Sequence, residues 1–310
     1  MTWQEKITRI TNDKLSGATG LAAVTAQTLI DLSTQNQFSS TDELLGMLEQ
    51  VGEEVLRSQT GMAPLVSLYN RILYAVGAQR ELADAVQTLQ DTAKTFMNDQ
   101  QRAAQEVARR GAALMAHGLN ITTYSSSSTI IAAFKFAAQS GRAPNVFCHE
   151  SRPGFEGRLL AAELAVAEIS VTLTADAAMF SNLKQSELVI VGADSLGESG
   201  IVGKLGTAAL ATCAKWLGVP CYVLAASNKI WPTGLGKQFI KSRPPEEIWD
   251  NAPAGVTVTN DYYDVTSWDA ISGVVTEQGL LMAKDLQEMA RERPVHESLL
   301  KIMERIRAEK

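Results

Sequence analysis

The chain has 310 residues, enough for two domains and a sizeable core, and its 45% hydrophobic and 20% charged composition is that of a folded globular protein rather than a disordered one. A formal net charge of −6 gives no long-range pull toward phosphate backbones, and the densest basic stretch, Arg291 to Arg307, is interleaved with Glu292, Glu297 and Glu304, so direct nucleic-acid binding is not expected. Three cysteines fit a reducing cytoplasm rather than a disulfide framework, and neither a signal-peptide core nor a run of about 18 apolar residues is present, so no membrane association is expected.

From Met1 to about Leu119 the pattern is almost entirely helical. The segment Thr41 to Val51 repeats its apolar positions near every 3.6 residues, and Leu82 to Met115 reads as one long, partly exposed helix. The sequence therefore predicts a helical domain over 1–117. Within it, Leu15-Ser16-Gly17-Ala18-Thr19-Gly20-Leu21 places small residues just before a helix, where backbone amides can approach an anion.

Short β-rich runs then alternate with helical stretches. The runs are Ile121–Tyr124, Val146–Cys148, Val171–Leu173, Leu188–Val191 and Cys221–Leu224. Thr129–Gln139, Gly157–Ile169 and Gly206–Leu217 supply the crossover helices that parallel strands require. The expected fold class is α/β, with the helical domain followed by a Rossmann-like parallel-sheet domain over 118–310 that ends in a helical extension. Asn228 to Pro253, with four prolines and two tryptophans, reads as an irregular segment over the site or a partner. Asp261 to Thr266 reads as leading into a helix, and Leu280–Arg293 and Pro294–Lys310 as terminal helices separated by Pro294.

Chemistry gathers at the predicted strand ends. Ser125-Ser126-Ser127-Ser128-Thr129 follows a strand and opens a helix, which suits a phosphate cradle or a plain N-capping run. Arg152 and Arg158 follow the next strand and carry forked donors for bidentate phosphate recognition; Lys204 and Lys229 add point charges near later strand ends. Asp194 ends Leu188-Val189-Ile190-Val191-Gly192-Ala193. It is either the N-cap of a following helix or a carboxylate delivered to the sheet edge, where open α/β sheets bind ligands. His117, His149 and His296 lack metal-site spacing, so neither a metal nor another cofactor is expected.

Five ordered strings carry a family resemblance: Glu150-Ser151-Arg152-Pro153 with Gly157; Val191-Gly192-Ala193-Asp194; Gly203-Lys204-Leu205-Gly206-Thr207; Tyr263-Asp264-Val265-Thr266; and Val275-Thr276-Glu277-Gln278-Gly279. Together they resemble the superfamily that unites the alpha, beta and delta subunits of initiation factor 2B with methylthioribose-1-phosphate isomerase and ribose-1,5-bisphosphate isomerase. The likeness is close over about 118–280 and looser around Ser16–Gly20. It implies a phosphosugar pocket between a helical and a Rossmann-like domain, dimerisation through the latter, and a homodimeric cytoplasmic protein whose partner is a phosphorylated small molecule.

The resembled isomerases pair a Cys just after the first Rossmann strand with the Asp of the Gly-Ala-Asp string. Here Asp194 is kept, and the aligned position of the Cys is Ser125. A thiol with a pKa of about 8.5 exchanges protons near neutrality, whereas an unassisted serine hydroxyl does not. Ser16 stands where the isomerases carry Arg, Gly203 where the family often has Asn, and Ser195 where isomerases commonly have Arg. These departures resemble the regulatory-subunit branch. The expected function is binding of a sugar phosphate or nucleotide through Gly17, Ala18, Thr19, Gly20, Ser125, Ser126, Arg152, Arg158, Lys204 and Lys229. The alternative is an aldose-ketose isomerase acting on a pentose 1-phosphate, with Asp194 catalytic.

Overall fold

The computed structural model describes residues 1–14, 16–238, 240 and 242–308. By packing it divides into two units: Met1–Arg102 with Asn228–Phe239 and Glu288–Lys310, and Ala103–Ser227 with Ile240–Gln287. The sequence placed a boundary at 117/118 and kept the C-terminal helices with the second part. Packing groups the chain differently, because the last helix, Glu297–Ala308, packs on the helices Thr41–Ser58 and Ala63–Gly77.

The first unit is helical. Its elements are α1 (Trp3–Asn12), α2 (Ala18–Gln35), α3 (Thr41–Ser58), α4 (Ala63–Gly77) and the first two-thirds of α5 (Leu82–Ala112). Local chemistry sets the starts: Thr2 and Glu5 form a capping box on α1, Ser40 accepts from the Glu43 amide on α3, and Pro64 sits in the first turn of α4. Leu29, Leu44, Leu48, Leu65, Tyr69 and Ile72 are buried at its centre. Gly52 is required there, since an added Cβ would lie 2.8 Å from the Tyr69 ring.

The second unit holds α6 (Ser128–Gln139), α7 (Glu156–Val166), α8 (Met179–Leu183), α9 (Thr207–Leu217) and ten strands. Those strands are β1 (Asn120–Thr123), β2 (Asn145–His149), β3 (Ser170–Thr174), β4 (Leu188–Gly192), β5 (Ser195–Leu196), β6 (Gly200–Lys204), β7 (Cys221–Leu224), β8 (Tyr263–Ser267), β9 (Gly273–Thr276) and β10 (Gly279–Leu281). Seven of them form one sheet in the order β10-β9-β7-β4-β1-β2-β3, parallel throughout except for the β9–β10 hairpin. The α/β expectation holds, and the five predicted parallel strands fall within one or two residues of their observed bounds.

One face of the sheet carries Ile121, Val146, Cys148, Leu188 and Ile190, packed with Ile130 and Phe134 of α6, Leu160 and Leu164 of α7, and Val107 and Ala108 of α5. Strand alternation turns Val189, Val191 and Val223 to the other face, where α9 packs on β4 and β7. The chain runs outward from β1 through β2 to β3, then returns to the other side of β1 as β4 and continues outward to β7. The switch point of the topology therefore lies between β1 and β4, where such sheets open a crevice at their carboxyl ends.

Two expectations are corrected. Asp261–Thr266 does not start a helix: Tyr263–Ser267 is β8, which joins β5 and β6 in a second, antiparallel sheet ordered β5-β6-β8. Leu280 belongs to β10, so the helix α10 runs only over Ala283–Glu292, and α11 spans Glu297–Ala308. β5, β6 and β10 are short with glycine at or beside their ends, and β8 is mostly polar, so none has the apolar run that marks the parallel strands. The ends of two sequence expectations, Leu15 and Lys310, lie outside the described residues, as do Phe239 and Lys241 within the irregular 228–253 segment.

Candidate functional site

The loops at the carboxyl ends of β1, β2 and β4 meet around the switch point. Gly192, the last residue of β4, abuts the start of α6 closely enough that an added Cβ would lie 3.2 Å from Ser127 Oγ. Ser127 caps α6, its hydroxyl facing the Ile130 amide. Ser125 and Ser126, half-buried, line the turn before it.

This rim stores backbone strain. Ser125, Ser151 and Phe155 all have φ near +60°, three of the five described non-glycine residues that do so. Polar contacts hold them there. The Ser125 amide donates to Ser151 Oγ at 2.8 Å, and Asp176 accepts from the amides of Ser151 and Arg152 at 2.7 and 2.8 Å. Gly157 is needed at the start of α7, since a Cβ there would run into the His149 carbonyl oxygen. The glycine of the Arg-Pro string thus allows strand and helix to close up beneath the loop.

Arg152 and Arg158 are exposed, with guanidinium carbons 5.0 and 3.9 Å from the Phe155 ring centre. Phe155 gives both a common aromatic stacking surface. Arg158 also pairs with Glu150 at 3.0 Å.

Asp194 is half-buried, and its amide donates to the Val202 carbonyl at 2.8 Å, so the chain continues into β5 rather than a helix. The N-cap reading of Asp194 is thereby excluded. The start of α9 is capped from a distance by Asp264, which accepts from the Gly206 amide at 2.7 Å and the Ala208 amide at 3.2 Å. Burial pushes the Asp264 carboxyl above its ordinary range, and those two amides oppose the shift.

A cluster that sequence reasoning missed lies beside Asp194. Lys204 at the end of β6 pairs with Glu156 at the start of α7, 2.7 Å apart, with both side chains about nine-tenths buried. The Lys204 ammonium lies 4.5 Å from the centre of the Tyr262 ring, and the Arg243 guanidinium is 5.3 Å from the same ring. The Tyr262 hydroxyl donates to Glu247, which also accepts from Asn260 at 3.0 Å. Burial raises the Tyr263 phenol, the negative charge of Asp194 adds to that rise, and Arg243 opposes it. Asp194, Glu156, Arg243 and Lys204 therefore share one electrostatic neighbourhood. The 48-residue separation of Glu156 and Lys204 leaves no local signal of the pair.

The thiols of Cys148 and Cys221 and the imidazole of His149 are spent on the core. Cys148 on β2 and Cys221 on β7 are buried, and burial pushes both thiols up to about 12. Neither supplies the acid-base group missing at Ser125. Burial also lowers His149, so its ring is neutral; Nε2 faces the Asn182 amide at 3.2 Å and Nδ1 faces the Thr123 carbonyl at 3.4 Å. Among the described residues, no cluster of three or more His, Cys, Asp or Glu side chains could hold a metal ion, and no helix is long and apolar enough to cross a membrane.

The other predicted contacts belong to the first unit. Gly17 is the N-cap of α2 without a side-chain capping bond, Ala18 is buried, and the carbonyl of half-buried Thr19 accepts from Gln100 at 2.7 Å. Added Cβ atoms at Gly17 or Gly20 would meet open space, so neither glycine is forced by packing. Lys229 is buried in a short 3-10 turn.

The family model described as the initiation factor 2 subunit family matches residues 14–283. The ribose 1,5-bisphosphate isomerase of Methanocaldococcus jannaschii is 28% identical over 283 residues, covering 90% of this chain and 91% of that protein. A putative translation initiation factor eIF-2B subunit 2-like protein of Pyrococcus furiosus is 32% identical over 285 residues, covering 90% and 97%. The crystal structure of the translation initiation factor eIF-2B of Pyrococcus horikoshii superposes with a TM-score of 0.80 at 27% identity, covering 92% of this chain and 98% of that one.

Proposed function

The chain belongs to the initiation factor 2 subunit family, and we propose on that premise that it binds a sugar phosphate or nucleoside monophosphate at the carboxyl edge of its α/β unit, in a binding or regulatory role. The supporting observation is the convergence of strained loops, two arginines and an uncapping carboxylate on the switch point between β1 and β4. The phosphate takes its donors from the Ser125–Ser128 turn and from the forks of Arg152 and Arg158. Asp194, half-buried two residues past the end of β4, accepts from a sugar hydroxyl. Lys204 enters through Glu156 rather than as an independent cation. Within the other unit, the start of α2 at Gly17–Gly20 and the Lys229 ammonium are candidate anion contacts of their own, and the working form is a cytoplasmic homodimer.

Isothermal titration of the full chain with ribose 5-phosphate, ribose 1,5-bisphosphate, AMP and GMP tests this. Saturable binding of at least one of them is expected, and absence of binding by all four overturns the reading. A second reading, an aldose-ketose isomerase of a pentose 1-phosphate, is favoured by the retained Asp194 and by relatives that bear isomerase names. It predicts turnover of ribose 1-phosphates that Asp194→Asn abolishes. Equal rates for the parent and that variant remove it.

A further inference from the structure

The Lys204–Glu156 pair leaves half of a buried carboxylate unused. Glu156 Oε1 accepts from the Lys204 ammonium at 2.7 Å, whereas Oε2, equally buried, has no hydrogen-bond partner among the described residues. A buried carboxylate oxygen without a donor is costly, and structures rarely keep one unless a bound group completes it. The Lys204 ammonium is already supplied with one carboxylate and one aromatic face. Its charge is neutralised where an anion would need it.

Resting on the phosphosugar reading, we propose that Glu156 is the specificity-determining residue of the site: Oε2 accepts a ligand hydroxyl, and the carboxylate excludes a second phosphate from the Lys204 side. The site thus takes a ligand with one phosphate, held at the Ser125–Ser128 and Arg152 side, and a neutral polyhydroxy body that donates to Glu156 and Asp194. Selectivity arises from repulsion as much as from attraction. A second phosphate beside Glu156 would meet two carboxylates, Glu156 and Asp194, with the Lys204 ammonium already paired and Arg243 as the other cation of the neighbourhood.

Titration of the full chain with ribose 5-phosphate and ribose 1,5-bisphosphate tests this in the parent and in Glu156→Gln, whose amide oxygen can still accept from Lys204. The parent is expected to bind the monophosphate at least about tenfold more tightly, and the variant to move the ratio at least about tenfold toward the bisphosphate. A folded variant with the parent's ratio overturns the role of Glu156 and leaves phosphosugar binding standing. Failure of the parent to bind either sugar overturns both. If Glu156→Gln does not fold by circular dichroism, the parent decides alone: equal or tighter binding of the bisphosphate overturns the inference, and clear preference for ribose 5-phosphate supports it.

Discussion

The interior of the seven-stranded sheet and its carboxyl edge are made by the same strands and obey opposite rules. Inside, even groups with chemical potential are subordinated to packing: Cys148 and Cys221 are held as neutral thiols, and His149 as a neutral ring between Asn182 and Thr123. At the edge, two or more residues beyond the strands, backbone strain is tolerated, arginines are exposed, and a buried carboxylate keeps an oxygen without a hydrogen-bond partner among the described residues. Position along the strand decides function here more than residue type does. Cys148 and Cys221 are buried because they lie within strands, whereas Asp194 is half-buried because it lies past the end of one.

The sharpest break in that contrast comes from the interior. Phe134 is fully buried between α6 and the sheet, and Phe134→Ala is expected to cost about 3–5 kcal/mol through lost burial and the cavity left behind. Urea unfolding measures it; a loss below about 1 kcal/mol would mean the core is not packed as described.

The Lys204–Glu156 pair is the place where edge chemistry sinks into the interior. Lys204→Met strands a buried carboxylate and is expected to cost about 3 kcal/mol or more, whereas Lys204→Met with Glu156→Gln recovers most of that loss. Equal stability of the single and double variants would show that the pair is not coupled.

Asp264 tests the same boundary through pH. Its folded pKa is raised above the ordinary 3.8, so the folded state holds this proton more tightly than the unfolded chain does. Its contribution to stability is therefore full below 3.8 and is lost as pH rises through the folded value. Asp264→Asn is expected to remove that component, seen as a flatter dependence of the unfolding midpoint on pH above 3.8. Identical pH profiles for the parent and the variant would show that burial does not govern this carboxyl.

Much of this architecture was legible in the sequence. The parallel strands announced themselves as apolar runs such as Leu188–Val191, because strands buried on both faces need no alternation. Arg152, Arg158 and Asp194 stand out in the sequence by their places past such runs. The antiparallel β5, β6 and β8 were not read, because Gly200-Ile201-Val202-Gly203-Lys204 is flanked and interrupted by glycine, and Tyr263–Ser267 has its pattern set by a partner strand about 60 residues earlier. Glu156 escaped for a related reason. It stood as one acidic residue in a helix's first turn, the usual place for a carboxylate, and only its long-range partner gives it another meaning.

The most direct test of the central claim, that the carboxyl edge grips a phosphorylated metabolite while the interior only supports it, is titration of ribose 5-phosphate into the parent and into Arg152→Ala. Arg152 is exposed, so the variant should unfold within about 0.5 kcal/mol of the parent. The account predicts saturable binding to the parent and an affinity at least about tenfold lower in the variant. The same affinity in both proteins would contradict it.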